Sequence, residues 1–168
     1  PWTDCRAGQR WRWDGVQFEV LHPFRDGVAV DARLVTKPNT LSCVIRVEDA
    51  HGQSLLIGAD IEAAQEAELL ARGRPGGWAS TALVVPHHGS RTSSTAGFID
   101  AVRPQWALVQ AGYRNRYGHP AREVMARYEQ AGVEVALSPW CGAWRWASDD
   151  RPRCWRSVAR RHWQAQGP

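Results

Sequence analysis

An apolar run that halts at two adjacent histidines constrains this chain more than any other feature. Thr81 to Val85 is apolar, rich in β-branched residues and free of charge, the pattern of a strand buried in a sheet. Pro86 stops it, His87 and His88 follow, and a Gly/Ser/Thr loop from Gly89 to Thr95 runs into a helical stretch from Ala96 to Val102. A strand that hands imidazoles and hydroxyls to a loop is how α/β folds place reactive groups along one rim of a sheet. The plainer reading makes both histidines ordinary loop residues, so the neighbouring segments must decide.

Those neighbours repeat the pattern. Ser54 to Asp60 is a strand that stays apolar until Asp60, and helical spacing then runs from Ile61 to Arg72, with Glu62, Glu66 and Glu68 read as solvated. Gln105 to Ala111 is another buried strand; it opens into Gly112-Tyr-Arg-Asn-Arg-Tyr-Gly-His-Pro120 and a helix from Ala121 to Ala131 with Val124, Met125 and Tyr128 inward. Val133 to Leu137 is a last parallel-type strand. Upstream, alternation on both sides of Asp14-Gly15 predicts a hairpin over Arg10 to Leu21, and Leu41 to Glu48 a further strand. Phe24 to Lys37 reads as an irregular connection. Strand–helix alternation after a β-rich start predicts an α/β (α+β) architecture.

Three strand ends therefore carry candidate chemistry: Asp60, His87 with His88, and His119. Carboxylate and imidazole are the donors of hydrolytic zinc or manganese sites, and two such ions lower the pKa of a bridging water and clamp a phosphodiester. The competing role for Asp60 is N-cap of the helix from Ile61. His22, His51 and His162 are set aside as ligands.

Length and charge limit the remaining options. At 168 residues and 43% hydrophobic content the chain holds one domain and a core, and no apolar window reaches membrane-spanning length. No signal-peptide pattern opens it. The formal charge is +4, and Lys37 is the single lysine among 21 basic residues, a bias that suits phosphate recognition. Cys5, Cys43, Cys141 and Cys154 lack zinc spacing, and one or two disulfides or four free thiols fit equally well; Cys141 and Cys154 bracket a hairpin-sized stretch and are the candidate pair. In the tail, arginines interleave with Trp144, Trp146, Trp155 and Trp163. The favoured reading has Trp155, Val158, Ala159 and Trp163 cap the core on an amphipathic helix, with some arginines left for nucleic acid.

The runs VPHHGSRTSST (Val85 to Thr95), GADIE (Gly58 to Glu62) and NRYGHP (Asn115 to Pro120) resemble the C-terminal metallo-β-lactamase-fold domain of ComEC-type competence proteins, which internalise DNA across the bacterial inner membrane. The likeness extends to Cys5–Pro23, to Asn39–Val47 and into the tail, so it covers nearly the whole chain. It implies part of a four-layer αββα domain acting as a two-metal nuclease on incoming, single-stranded DNA. Manganese or zinc would be held by Asp60 and His119, and His87 and His88 would act near the metal as ligand, acid or phosphate contact. Ser90, Thr92 and Ser93 would offer hydroxyls to phosphate, and Arg114, Asn115 and Arg116 would hold the strand. The implied partner is the channel portion of the same polypeptide in the inner membrane, and a Cys141–Cys154 disulfide would put this domain on the periplasmic side.

Two departures qualify this. The family's main histidine-aspartate metal motif is missing, so the expectation is half of a metal site, inactive alone, from a domain apparently lacking its N-terminal half. Ala59 also stands where the family commonly has glycine before the aspartate.

Overall fold

The computed structural model describes residues 3–24, 37–74, 76–159 and 161–162. Seven strands form one mixed sheet whose spatial order follows the chain: β1 (Arg10–Trp13), β2 (Val16–His22), β3 (Val44–Glu48), β4 (Ser54–Ile57), β5 (Ala82–Val84), β6 (Trp106–Val109) and β7 (Glu134–Leu137). The first four pair antiparallel, and β4 to β7 run parallel. Each parallel step crosses over through one helix: α1 (Ala63–Arg72), α2 (Ala96–Val102) and α3 (Arg122–Gln130). The α/β class is therefore observed, and the hairpin turns at Asp14-Gly15 as expected.

Registers explain why the helices cover one face. Leu56, Leu83 and Ala107 lie directly opposite one another on β4, β5 and β6. They share one core cluster with Leu69 of α1, Phe98 and Ile99 of α2, and Val124 and Tyr128 of α3. Successive side chains alternate across a sheet, so the flanking rows point the other way. One row is Phe18–Val47–Leu55–Ala82–Trp106 and the next is Val20–Ile45–Ile57–Val84–Leu108. On these rows Val20, Ala82, Trp106 and Leu108 are buried, and the tail reaches them where Trp146 meets Trp106, with ring centroids 5.8 Å apart.

Several boundaries move for identifiable reasons. The strand expected from Leu41 begins at Val44, because Pro38–Leu41 forms a 3-10 turn first. The helix expected from Ile61 begins at Ala63, where Glu62 and Gln65 make a reciprocal capping box. Asp60 is therefore not the cap. Glu66 is not solvated either: it is fully buried on α1.

The tail also departs from expectation. It folds as a two-stranded sheet, β8 (Trp144–Arg145) with β9 (Arg153–Cys154), flanked by α4 (Ser138–Cys141) and α5 (Trp155–Val158). One helical turn is too short to lay an apolar stripe on the core. Trp155 and Val158 are 59% and 66% exposed, so they do not cap it; Trp163 lies outside the described residues, as does most of the Phe24–Lys37 connection. Cys141 and Cys154 do pair, and so do Cys5 and Cys43, a link across 38 positions that the sequence did not single out.

Candidate functional site

The three strand ends meet at one rim because two glycines let them. A Cβ on Gly58, just past β4, would sit 2.6 Å from Cγ of Pro86, just past β5. A Cβ on Gly89 would sit 2.7 Å from Cβ of Pro120, and Gly89 also has φ of +75°. Backbone bonds then fasten the loops together: His87 N donates to Ala59 O at 2.8 Å, Ala121 N to Gly89 O at 2.9 Å, and Ala63 N to Thr92 O at 2.8 Å. The meeting point is the carboxyl end of the parallel strands, where open α/β sheets bind ligands.

The backbone is strained at the residues that matter. His87 and His88 have φ of 49° and 57°, and Ala59, before Asp60, has φ of 48°. Side chains resist this left-handed region by roughly 1–2 kcal/mol each. Such strain concentrates at functional sites, where the surroundings hold it in place. Ala59 thus occupies a position whose geometry favours glycine.

The side chains complete the rim. His88 Nδ1 lies 2.6 Å from the carbonyl of Gln110. A carbonyl can only accept, so Nδ1 carries the proton there, and His88 Nε2 is left facing Asp60 Oδ1 at 3.5 Å. His87 Nδ1 lies 3.4 Å from both Glu62 Oε1 and Thr92 Oγ1, and its Nε2 lies 3.5 Å from Asn39 Nδ2. Thr92 Oγ1 in turn donates to Glu62 Oε1 at 3.2 Å. The His87 ring is 6.5 Å from that of His88 and 6.1 Å from that of His119. Burial, then the neighbouring His87 and His88, hold the His119 imidazole below its ordinary pKa, which favours the neutral ring that can donate a lone pair.

As to metal, Asp60 and His88 Nε2 are a two-donor pair of the right chemistry. Among the described residues, however, no three His, Cys, Asp or Glu side chains are disposed to hold an ion together. The residues here do not by themselves close a metal site.

Of the residues expected to touch substrate, Thr92 is exposed beside His87, and Ser90 Oγ pairs with Thr92 Oγ1 at 3.2 Å. Ser93 faces the other way. It is 1% exposed, and its hydroxyl is bonded to the carbonyls of Pro86 and Ser90 at 2.9 and 3.0 Å, so it braces the loop and offers nothing to a ligand. Asn115 is likewise a brace. Its amide donates to Gly112 O at 3.1 Å and His119 O at 2.6 Å, and its Oδ1 accepts from His119 N at 3.0 Å. Arg114 and Arg116 are exposed on either side of it.

Sequence reasoning missed Glu62, Asn39 and Glu66. Glu66 accepts from the backbone N–H of Ser94 and of Thr95, the latter at 2.8 Å. Behind the same loop, Arg127 donates to Ser94 O at 2.9 Å and Tyr128 OH to Ser94 Oγ at 3.1 Å. Burial pushes the Glu66 carboxyl above its ordinary pKa despite the hydrogen bonds of Thr95 and Ser94 and the charge of Arg127. Glu62 had one usable signal: it stands two residues after Asp60 at a strand end.

No protein-family profile matches the chain. Curated proteins do, and three of them carry names that speak of their role. It is 40% identical over 137 residues to competence protein ComA of Neisseria gonorrhoeae (82% of this chain, 18% of that protein). It is 36% identical over 141 residues to recombination protein 2 of Haemophilus influenzae (81% and 16%), and 32% identical over 120 residues to ComE operon protein 3 of Bacillus subtilis (71% and 14%). The chain spans less than a fifth of the length of these relatives. Its homologues are thus competence and recombination proteins, and the segment they share with it includes most of what is described above.

Proposed function

We propose that this chain is the DNA-handling part of a competence protein, and that its rim contributes half of a metal-dependent phosphodiesterase centre acting on incoming DNA. The observation that carries the reading is the Asp60–His88 pair: a carboxylate oxygen and an imidazole nitrogen, 3.5 Å apart, set by a strained loop at the carboxyl end of the parallel strands. The apolar rows on the face of the sheet turned away from α1–α3 suit a second β-layer of a metallo-β-lactamase-like αββα sandwich, which would bring the remaining donors.

In that centre Asp60, His88 and His119, which do not by themselves close a site, would each donate to manganese or zinc together with donors supplied from elsewhere, and the metal would supply an acidified water and a clamp on the phosphate oxygens. His87, within 3.4 Å of Glu62 and Thr92, would hold the proton destined for the leaving oxygen. Ser90 and Thr92 would turn hydroxyls toward phosphate, and Arg114 and Arg116 would neutralise the backbone on either side. No helix among the described residues is long and apolar enough to cross a membrane. We place the domain on the periplasmic side, anchored by the channel portion of its own polypeptide; the two disulfides support an oxidising compartment.

Plasmid nicking tests the reading. The full-length protein carrying this chain, supplied with Mn²⁺, should relax supercoiled DNA, and its Asp60→Ala version should not. Equal cleavage by both, or none by the unsubstituted protein at any metal concentration, removes the hydrolase. The exposed arginines would then favour the second reading, a non-catalytic module that guides DNA to a channel.

A further inference from the structure

The end of the sheet opposite the rim carries a charged groove that the proposed chemistry does not use. The row that bears Leu83 and Leu56 beneath the helices continues outward as Arg46, Glu19 and Arg10. Arg12 and Glu48 lie in the next row of the same face. Glu48 stands opposite Ser54 at the start of β4, whereas Asp60 follows the end of that strand. Arg74, two residues past α1, reaches Glu19 from the other side. These six side chains wall a groove of about 470 Å³, within the size range of small-ligand pockets.

Donors outnumber acceptors in this groove. Glu19 is gripped from two sides, by Arg10 at 2.6 Å and Arg74 at 2.8 Å, and Glu48 is paired with Arg46. Burial works against the Glu19 charge, yet the hydrogen bonds and charges of Arg10 and Arg74 hold its carboxyl below its ordinary pKa. Both carboxylates are thus spent on orienting guanidiniums. Arg12 is exposed and makes no ion pair among the described residues. The Arg46 side chain is only 11% exposed, and its buried Nε has no hydrogen-bond partner among them. A buried donor left unpaired is costly, more so on a charged group, so an acceptor belongs there.

We propose that this groove binds a phosphate dianion, either inorganic phosphate or the terminal phosphate of a nucleotide. Four guanidiniums against two carboxylates leave two positive charges in surplus, which matches one phosphate monoester. Arg12 and the Nε–H of Arg46 take its oxygens, and guanidinium forks suit that geometry better than point charges do. The acceptors already present do not compete, because each is held by its own arginine. The site stands whether or not the rim cuts DNA. Phosphodiester hydrolysis, the reaction proposed for the rim, turns a singly charged link into a group of this class, so the groove suits a product rather than the substrate.

Isothermal titration of the chain at low salt with inorganic phosphate, thymidine monophosphate, thymidine and the dinucleoside diester TpT tests this. The two dianions should bind and thymidine should not, with TpT about tenfold weaker than the monophosphate for want of its second charge. Tighter binding of the monophosphate than of phosphate makes a nucleotide the ligand, equal binding makes it phosphate, and either supports the site. Arg12→Gln and Arg46→Gln should each weaken binding about tenfold, as for one lost charge-assisted hydrogen bond. Arg12 has no ion pair to lose, so its variant keeps the fold even if that of Arg46 does not. Arg12→Lys, with the charge but not the fork, should recover only part of the affinity. Arg116→Gln, at the rim, should change nothing. No binding of either dianion, full affinity in Arg12→Gln, or a loss in Arg116→Gln overturns the site, and equal affinity for TpT and the monophosphate overturns the dianion.

Discussion

The loop that follows β5 is built in two ways along its length. Its outer part presents His87 and His88 on left-handed backbone with Thr92 beside them, and the His87 and Asp60 contacts there are long, at 3.4 and 3.5 Å. Its inner part, Ser93 to Thr95, is bonded at 2.5 to 3.2 Å to Glu66, Arg127, Tyr128 and carbonyls of the same loop. The difference shows how strain is held. The inner part is tied to buried partners, so it fixes the outer part in a conformation its own residues disfavour.

If that division is right, substitutions in the two parts should act on different observables. The largest effect belongs to the brace: Glu66→Ala leaves the buried N–H groups of Ser94 and Thr95 unpaired and should cost about 3 kcal/mol in a denaturant melt. A cost below about 1 kcal/mol would break the comparison. Gly89→Ala comes next, at about 2 kcal/mol, combining a left-handed backbone with a Cβ driven into Pro120.

The outer part should respond with opposite sign. His87→Gly relieves a left-handed residue whose side chain makes only long contacts, so stability should rise by about 1 kcal/mol, while under the proposed function DNA cleavage by the full-length protein should be lost. Ala59→Gly should stabilise by about 0.5 kcal/mol and leave cleavage intact, since Asp60 keeps its place.

The smallest and sharpest test is pH. Because Glu66 is raised above its ordinary 4.5, the folded state keeps that proton longer than the unfolded chain, and stability should fall as pH climbs from 4.5 through the raised value. His119 is lowered below its ordinary 6.5, so its contribution is present above 6.5 and lost as pH falls through the depressed value. Melting temperatures of Glu66→Gln and His119→Asn across pH 4 to 8 should each remove one slope.

Much of this was legible beforehand because it is local. Asp14-Gly15 determines the hairpin, and uninterrupted apolar runs mark β4 to β7. Even the residues at the rim follow from where those runs end. What escaped is encoded across distance. Glu66 sits at a helical position that looks solvated, and only its partners 28 and 29 residues away make it a buried brace. Asn115 and Ser93 carry the right groups for phosphate, yet both spend them on backbone within seven residues. The apolar spacing of Trp155 and Val158 misled for another reason: four helical residues cannot present a face.

The two proline rings seated on bare backbone, Pro86 over Gly58 and Pro120 over Gly89, link the rim in series. A displacement of Pro120 would meet the backbone of Gly89 in the loop of the imidazole pair, and one of Pro86 the backbone of Gly58, two residues before the carboxylate past β4. Under the proposed function, a pull on a bound strand would then also change the spacing of the reactive groups.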